Sequence, residues 1–155
     1  MTNPETLPAD AELLLDNQLC FPLYTAARQV VALYTPVLKP LGLTYTQYVV
    51  LLVLWEQQEL SVGEIGRRLH LDSGTLTPLL KRMEAGGLVE RSRSGSDERM
   101  VLIRLTERGE ALKARAAGIP RQIGACIPLQ PEEAATLYML LRKVIGAGGE
   151  RGQQP

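Results

Sequence analysis

Aromatic residues are scarce in this chain: 155 residues hold one Trp, one Phe and five Tyr. A core of ordinary density must therefore come from Leu, Val, Ile and Ala, and the phenols are few enough to locate one by one. Histidine is nearly absent and cysteine occurs twice, with no CxxC and no Cys/His cluster. That removes the ligand spacing a zinc site needs, so neither a metal nor a cofactor is expected. Long apolar runs are missing too. The longest, from Tyr48 to Trp55, falls well short of the roughly 20 residues that span a bilayer. The amino-terminal stretch MTNPETLPADAELLLDNQ lacks the basic and apolar regions of a signal peptide. A cytoplasmic protein with no membrane partner is expected, and in that compartment two distant cysteines favour free thiols over a standing disulfide. Net charge is also absent, 17 basic residues against 17 acidic ones, which argues against a general coat for polyanions. A local face is still allowed, since residues 61–104 carry eight basic residues against six acidic ones, a small excess.

What is present is helical periodicity with clear punctuation. Leu19 to Leu38 has apolar residues at helical spacing, with Pro22 in its first turn where no N–H bond is lost. Pro40 and Gly42 break it. Thr46 to Glu56 is apolar almost all round, the mark of a buried central helix, and Trp55 belongs to that core. Ser61 and Glu64 form a capping box ahead of a short helix carrying Ile65 and Leu69. His70 to Ser73 makes a turn, with His70 on the surface, and Asp72 or Ser73 caps the next helix. That helix turns Leu76, Leu79, Leu80 and Met83 inward and stops at Gly86-Gly87. Two strands, Leu88 to Ser94 and Met100 to Leu105, flank the polar turn GSDER. Thr106 caps a helix to about Gly118, interrupted at Pro120. Pro131 opens the last helix, with Glu132 and Glu133 in its first turn and a stripe of Leu137, Leu140, Leu141, Val144 and Ile145.

Two short helices, a tight turn and a following hairpin compose a winged helix-turn-helix, and the fold class is mainly α with a small β-hairpin. A recognition helix needs short polar side chains at its amino end, where they reach base edges while backbone N–H groups meet a phosphate. Ser73, Gly74, Thr75, Thr77, Lys81 and Arg82 suit that work, with Pro78 stiffening the helix start. Arg93 and Arg99 flank the wing tip, where a guanidinium can enter a narrow minor groove. Solvated charges on a protein-binding winged helix are the plainer alternative. Upstream, Cys20 in LCFPLY heads a helix, and a thiol there serves as an oxidant sensor if its surroundings favour the ionised form.

The stretches LDNQLCFPLYTAAR, LTYTQYVVLLVLWE, LDSGTLTPLLKRMEAGGLVERSRS and DERMVLIRLTERG resemble the MarR family of dimeric winged-helix regulators from about Leu14 to Ile145. Within it they are similar to the organic-hydroperoxide-sensing OhrR branch of two-cysteine type. The polar start reads as a flexible leader over 1–13 and GAGGERGQQP as a disordered tail over 146–155, and the resemblance implies a winged-helix domain over 14–145. It places DNA binding at about 46–105 and dimerisation at about 14–42 and 106–145. It also implies a homodimer on a pseudo-palindromic double-stranded operator, an organic hydroperoxide as oxidant, and an Asp97 that orients Arg99.

Tyr24 lies four residues after Cys20 and shares its face if the helix already includes Cys20. Tyr34 is nearly in phase, but fourteen residues of helix rise about 21 Å, so it does not reach the thiol of its own chain. In the antiparallel helix pairing that the resemblance implies, Tyr34 and Tyr45 of one chain approach Cys20 of the other. Phenol donors favour a thiolate, although all three tyrosines also suit an amphipathic core. Cys126, in GACIPLQ, reads on its own as a small buried hydrophobe. The resemblance makes it the resolving cysteine. Two other functions stay open on sequence alone: a regulator released by a small aromatic anion, with the thiols incidental, and a thiol peroxidase using Cys20.

Overall fold

The computed structural model describes residues 9–95 and 99–151. They form seven helices and three strands: α1 Cys20–Leu38, α2 Tyr45–Glu56, β1 Glu59–Ser61, α3 Val62–Leu69, α4 Ser73–Ala85, β2 Val89–Arg93, β3 Val101–Leu105, α5 Glu107–Ala116, α6 Ile119–Gly124 and α7 Pro131–Arg151. Two compact units divide between Arg121 and Gln122. No single helix among the described residues is long and apolar enough to cross a membrane.

In the first unit, short polar residues open α2 to α5. Thr44 accepts the Gln47 N–H, and the Gln47 side chain returns to the Thr44 N–H at 2.9 Å, opening α2. Ser61 and Glu64 do the same for α3. Asp72, rather than Ser73, caps α4, and Thr106 caps α5. Each such cap satisfies amide donors that a helix start leaves open. The ends are equally explicit. His70 adopts a left-handed φ of 52° and lets the Leu71 N–H reach the Gly66 carbonyl at 2.9 Å, so it is the surface turn residue expected. Gly87, at φ 67°, returns the chain after α4 so that the Leu88 N–H meets the Met83 carbonyl.

α3 meets the turn before α4 closely because Gly66 has no side chain; a Cβ there would lie 2.8 Å from the Leu71 carbonyl oxygen. Behind them α2 is the central element, with Tyr48, Val50, Leu51 and Leu54 buried. Ile65 of α3, Leu76, Leu80 and Met83 of α4, and Val89 and Ile103 of the sheet complete one core. Trp55 sits at its edge and donates its indole N–H to the Gly109 carbonyl at 3.0 Å.

The hairpin is part of a three-stranded antiparallel sheet in the order β1-β3-β2. The added strand pairs Leu60 with Ile103, and an ion pair of Glu59 with Arg104 at 2.7 Å closes its edge. Three residues are too few to show an alternating pattern, so β1 is silent in the sequence.

Other differences have similarly local causes. The leader expected to be flexible over 1–13 forms a 3₁₀ turn over Ala9–Leu13 with Ala11 buried. Pro120 does not merely interrupt: it falls in the first turn of α6, where its missing N–H costs nothing. α7 runs on to Arg151, past Ile145 and into the stretch expected to be disordered. Along α7, in the second unit, the expected apolar stripe is largely exposed, with Leu140, Val144 and Ile145 each about half accessible.

Candidate nucleic-acid interface and thiol site

The amino end of α4 is built around Asp72. Its carboxylate accepts the Thr75 N–H at 2.9 Å and the Thr75 hydroxyl at 2.9 Å. These bonds, the backbone one foremost, hold the carboxyl below the usual range, so the cap is charged at neutral pH. A depressed acid contributes above its ordinary value and loses that contribution as pH falls through the lowered one. Gly74 belongs to the same arrangement, since a Cβ there would press to 3.0 Å from the Asp72 carboxylate. The cap changes the part open to Thr75: its hydroxyl proton is committed to Asp72, leaving acceptor capacity only.

Ser73, Gly74, Thr75, Pro78, Lys81 and Arg82 are exposed, and Thr77 is half-buried. Pro78 lies further into α4 than a start-stiffening residue would. There it removes the N–H that would otherwise pair with the Gly74 carbonyl. Arg93 ends β2 and Arg99 precedes β3, both exposed. Asp97, which the resemblance makes the residue that orients Arg99 in support of the wing, lies outside the described residues.

Cys20 is the first residue of α1 and is exposed, so the condition for sharing a face with Tyr24 is met. Tyr24 is 60% exposed and lies under the Arg28 guanidinium, 5.5 Å from ring centre to Cζ. Tyr34 and Tyr45 come together far along α1, with ring centres 4.8 Å apart. Tyr48 joins them at 5.7 Å from Tyr34 and continues to Trp55 at 6.4 Å. Sequence reasoning placed Tyr48 in the core and gave it no part in this cluster; its spacing three residues after Tyr45 is the signal that could have found it. Burial first, and the neighbouring Tyr45 phenol second, push the Tyr34 hydroxyl up. Burial also leads for Tyr48, followed by Tyr34 and Tyr45. Tyr34 and Tyr48 therefore remain protonated hydrogen-bond donors near neutral pH.

Cys126, in the second unit, is exposed rather than buried. It follows α6, its N–H bonded to the Ile123 carbonyl at 2.9 Å and its thiol 3.4 Å from the Gln122 carbonyl oxygen. An exposed thiol in a turn has room to react, which a core cysteine lacks. The described residues contain no group of His, Cys, Asp or Glu able to hold a metal ion.

Residues 32–116 match the family model of the transcriptional regulators SarA/Rot. The organic hydroperoxide resistance transcriptional regulator of Bacillus subtilis is 55% identical over 109 residues, covering 70% of this chain and 74% of that one. Among solved structures, reduced AbfR bound to DNA, a protein of Staphylococcus epidermidis, superposes with a TM-score of 0.74 at 38% identity, over 89% of this chain and 96% of the other. Disulfide-formed AbfR gives 0.62 at 39% identity, over 88% and 96%. A mutant MarR from E. coli complexed with operator DNA gives 0.78 at 28% identity, over 89% and 99%.

Proposed function

Because the chain belongs to the MarR/SarA family of winged-helix transcriptional regulators, we propose that it is a homodimeric repressor that releases a pseudo-palindromic operator when Cys20 is oxidised by an organic hydroperoxide. In the reduced dimer each α4 reads a major groove and each wing, through Arg93 and Arg99, a minor groove. The observation that carries the reading is the separation within one chain. The exposed thiol stands at one end of α1, and a pair of phenols waits about 21 Å of helix away. A second α1 running antiparallel brings Tyr34 and Tyr45 to the partner's thiol, while Tyr24 stands beside the thiol of its own helix. The uncovered apolar residues of α1 and α7, Phe21, Val31, Leu140 and Val144 among them, are the surface such a dimer buries.

The chemistry balances with two thiols and one peroxide. The Cys20 thiolate attacks the distal peroxide oxygen, the O–O bond breaks, the alkoxide takes a proton and leaves as an alcohol, and sulfur becomes a sulfenic acid. The thiol of the partner's Cys126 then attacks that sulfur, a disulfide forms and water departs. Ordering this bond moves α1 and the loop before α7, and two reading heads that must fit half-sites one helical turn apart lose register. The relative solved both on DNA when reduced and with a disulfide formed supports this sequence of states.

A second reading, release by a small aromatic anion, has one feature in its favour: a cleft of Tyr48, Leu52, Trp55 and Ala116 with Lys113 at its edge. A peroxidase reading has less, since the nearest arginine on the same face of α1, Arg28, is occupied with Tyr24.

A non-reducing gel of peroxide-treated protein tests the pairing. Wild type should run as a dimer that dithiothreitol returns to monomer, and Cys126→Ser should show no such band. An oxidised monomer of altered mobility would mean that the cysteines pair within one chain.

A further inference from the structure

The register of the sheet puts an arginine where an apolar residue is expected. Arg91 pairs directly with Ile103, and Ile103 with Leu60. Directly paired residues of antiparallel strands point to the same face. Ile103 is fully buried and Leu60 nearly so, so Arg91 is the charged end of a core row. Its side chain is 22% exposed, and its Nε is sealed from solvent with no hydrogen-bond partner. The one ion pair it makes among the described residues, with Glu84, is loose at 3.6 Å, beyond hydrogen-bond length. A guanidinium so placed has a surplus of donors and charge.

That surplus faces a cleft. Its walls are Val62 and Gly63 at the start of α3, Thr77 of α4, Arg91 of β2, and Arg99 and Val101 beside and within β3. Arg91 and Arg99 line it together with Thr77. The neighbouring Glu64 carboxylate is already committed to the Ser61 N–H at 2.9 Å and the Ser61 hydroxyl at 2.7 Å. The chemistry suits a singly charged tetrahedral oxyanion.

Position decides which oxyanion. The cleft lies between α4 and the hairpin, the elements assigned to a major and a minor groove, and adjacent grooves are separated by one sugar-phosphate strand. We propose that this cleft seats a backbone phosphate of bound duplex DNA, with Arg91 as its principal cation. The proposal rests on the DNA-binding reading above and adds a contact that fixes the angle between recognition helix and wing.

The test is binding anisotropy on a duplex that the protein itself selects from a randomised pool. It compares wild type, Arg91→Gln and Arg91→Lys, with single phosphates replaced in turn by neutral methylphosphonates. Arg91→Gln should weaken binding to the selected and to a random duplex by similar factors. It should also make the slope of log affinity against log salt shallower by about 1. Arg91→Lys should restore the slope. One methylphosphonate should weaken wild type and leave Arg91→Gln unaffected. If Arg91→Gln proves unfolded by thermal melting, the same scan with Arg91→Lys must still show a reduced penalty at that one phosphate. Wild-type affinity and slope in Arg91→Gln, or a methylphosphonate profile that no Arg91 variant alters, would overturn the phosphate seat and leave the repressor reading intact. Inorganic phosphate that binds DNA-free protein through Arg91 while DNA binding is indifferent to it would make this a free-anion site and overturn the proposal as well. A wild-type protein that selects no duplex would overturn the DNA reading itself and this one with it.

Discussion

The Tyr34 phenol keeps its proton because burial and the adjacent Tyr45 both oppose ionisation, and a protonated phenol is what a thiolate needs as a donor. If that donor serves the partner's Cys20, Tyr34→Phe keeps the ring packing on Tyr45 and Tyr48 and removes only the hydrogen bond. Alkylation of Cys20 by iodoacetamide near neutral pH should then slow several-fold, with the melting temperature little changed. An unaltered rate would return Tyr34 to a packing role. At this scale the sequence was partly legible. Phase along α1 identified Tyr24, and α-helical rise separated Tyr34 from Cys20. Arg91 was invisible, because strand alternation was read only from its apolar residues and an arginine on the core face breaks that pattern.

Helices and turns carry the next set of consequences. Gly66 allows α3 to meet the turn before α4, and Gly66→Ala would force a Cβ to within 2.8 Å of the Leu71 carbonyl oxygen. Overpacking against backbone costs about 1–3 kcal/mol, so the variant should melt lower by several degrees and bind DNA less tightly, since the turn sets the pose of α4. Thr106 is a different joint. Its hydroxyl accepts the Gly109 N–H at 3.0 Å and donates to the Gly87 carbonyl at 2.6 Å, tying the start of α5 to the end of α4. Thr106→Ala should cost about 1 kcal/mol, read as a lower urea midpoint at unchanged slope; no change would mean that water replaces both bonds. Caps and glycine stops are local signals, which is why the boundaries of α2 to α5 could be read to within a residue or two. β1 and α6 are not local in that sense: the first exists only through its partner strand, and the second begins with the proline that seemed to end a helix.

For the whole molecule, the winged-helix family was legible because cap, turn and hairpin signals agree in order along the chain. The residues of the proposed thiol site were named from the sequence, but their assembly rested on the resemblance, because the proposal divides them between two chains. Cys20 lies in one compact unit and Cys126 in the other, and Tyr34, with Tyr45 against it, stands about 21 Å of helix from the thiol of its own chain, so no single copy contains the complete arrangement proposed. Under the proposed function, coupling between oxidation and DNA binding belongs to the dimer. Its most direct measurement is the anisotropy of a labelled duplex bound to reduced protein while one equivalent of cumene hydroperoxide per protomer is added and free thiols are counted. Wild type should release the duplex as Cys20 is consumed, and Cys20→Ser, binding with the same initial affinity, should remain bound. Release from Cys20→Ser at the same peroxide dose, or wild type that stays on DNA with Cys20 fully oxidised, would contradict the account.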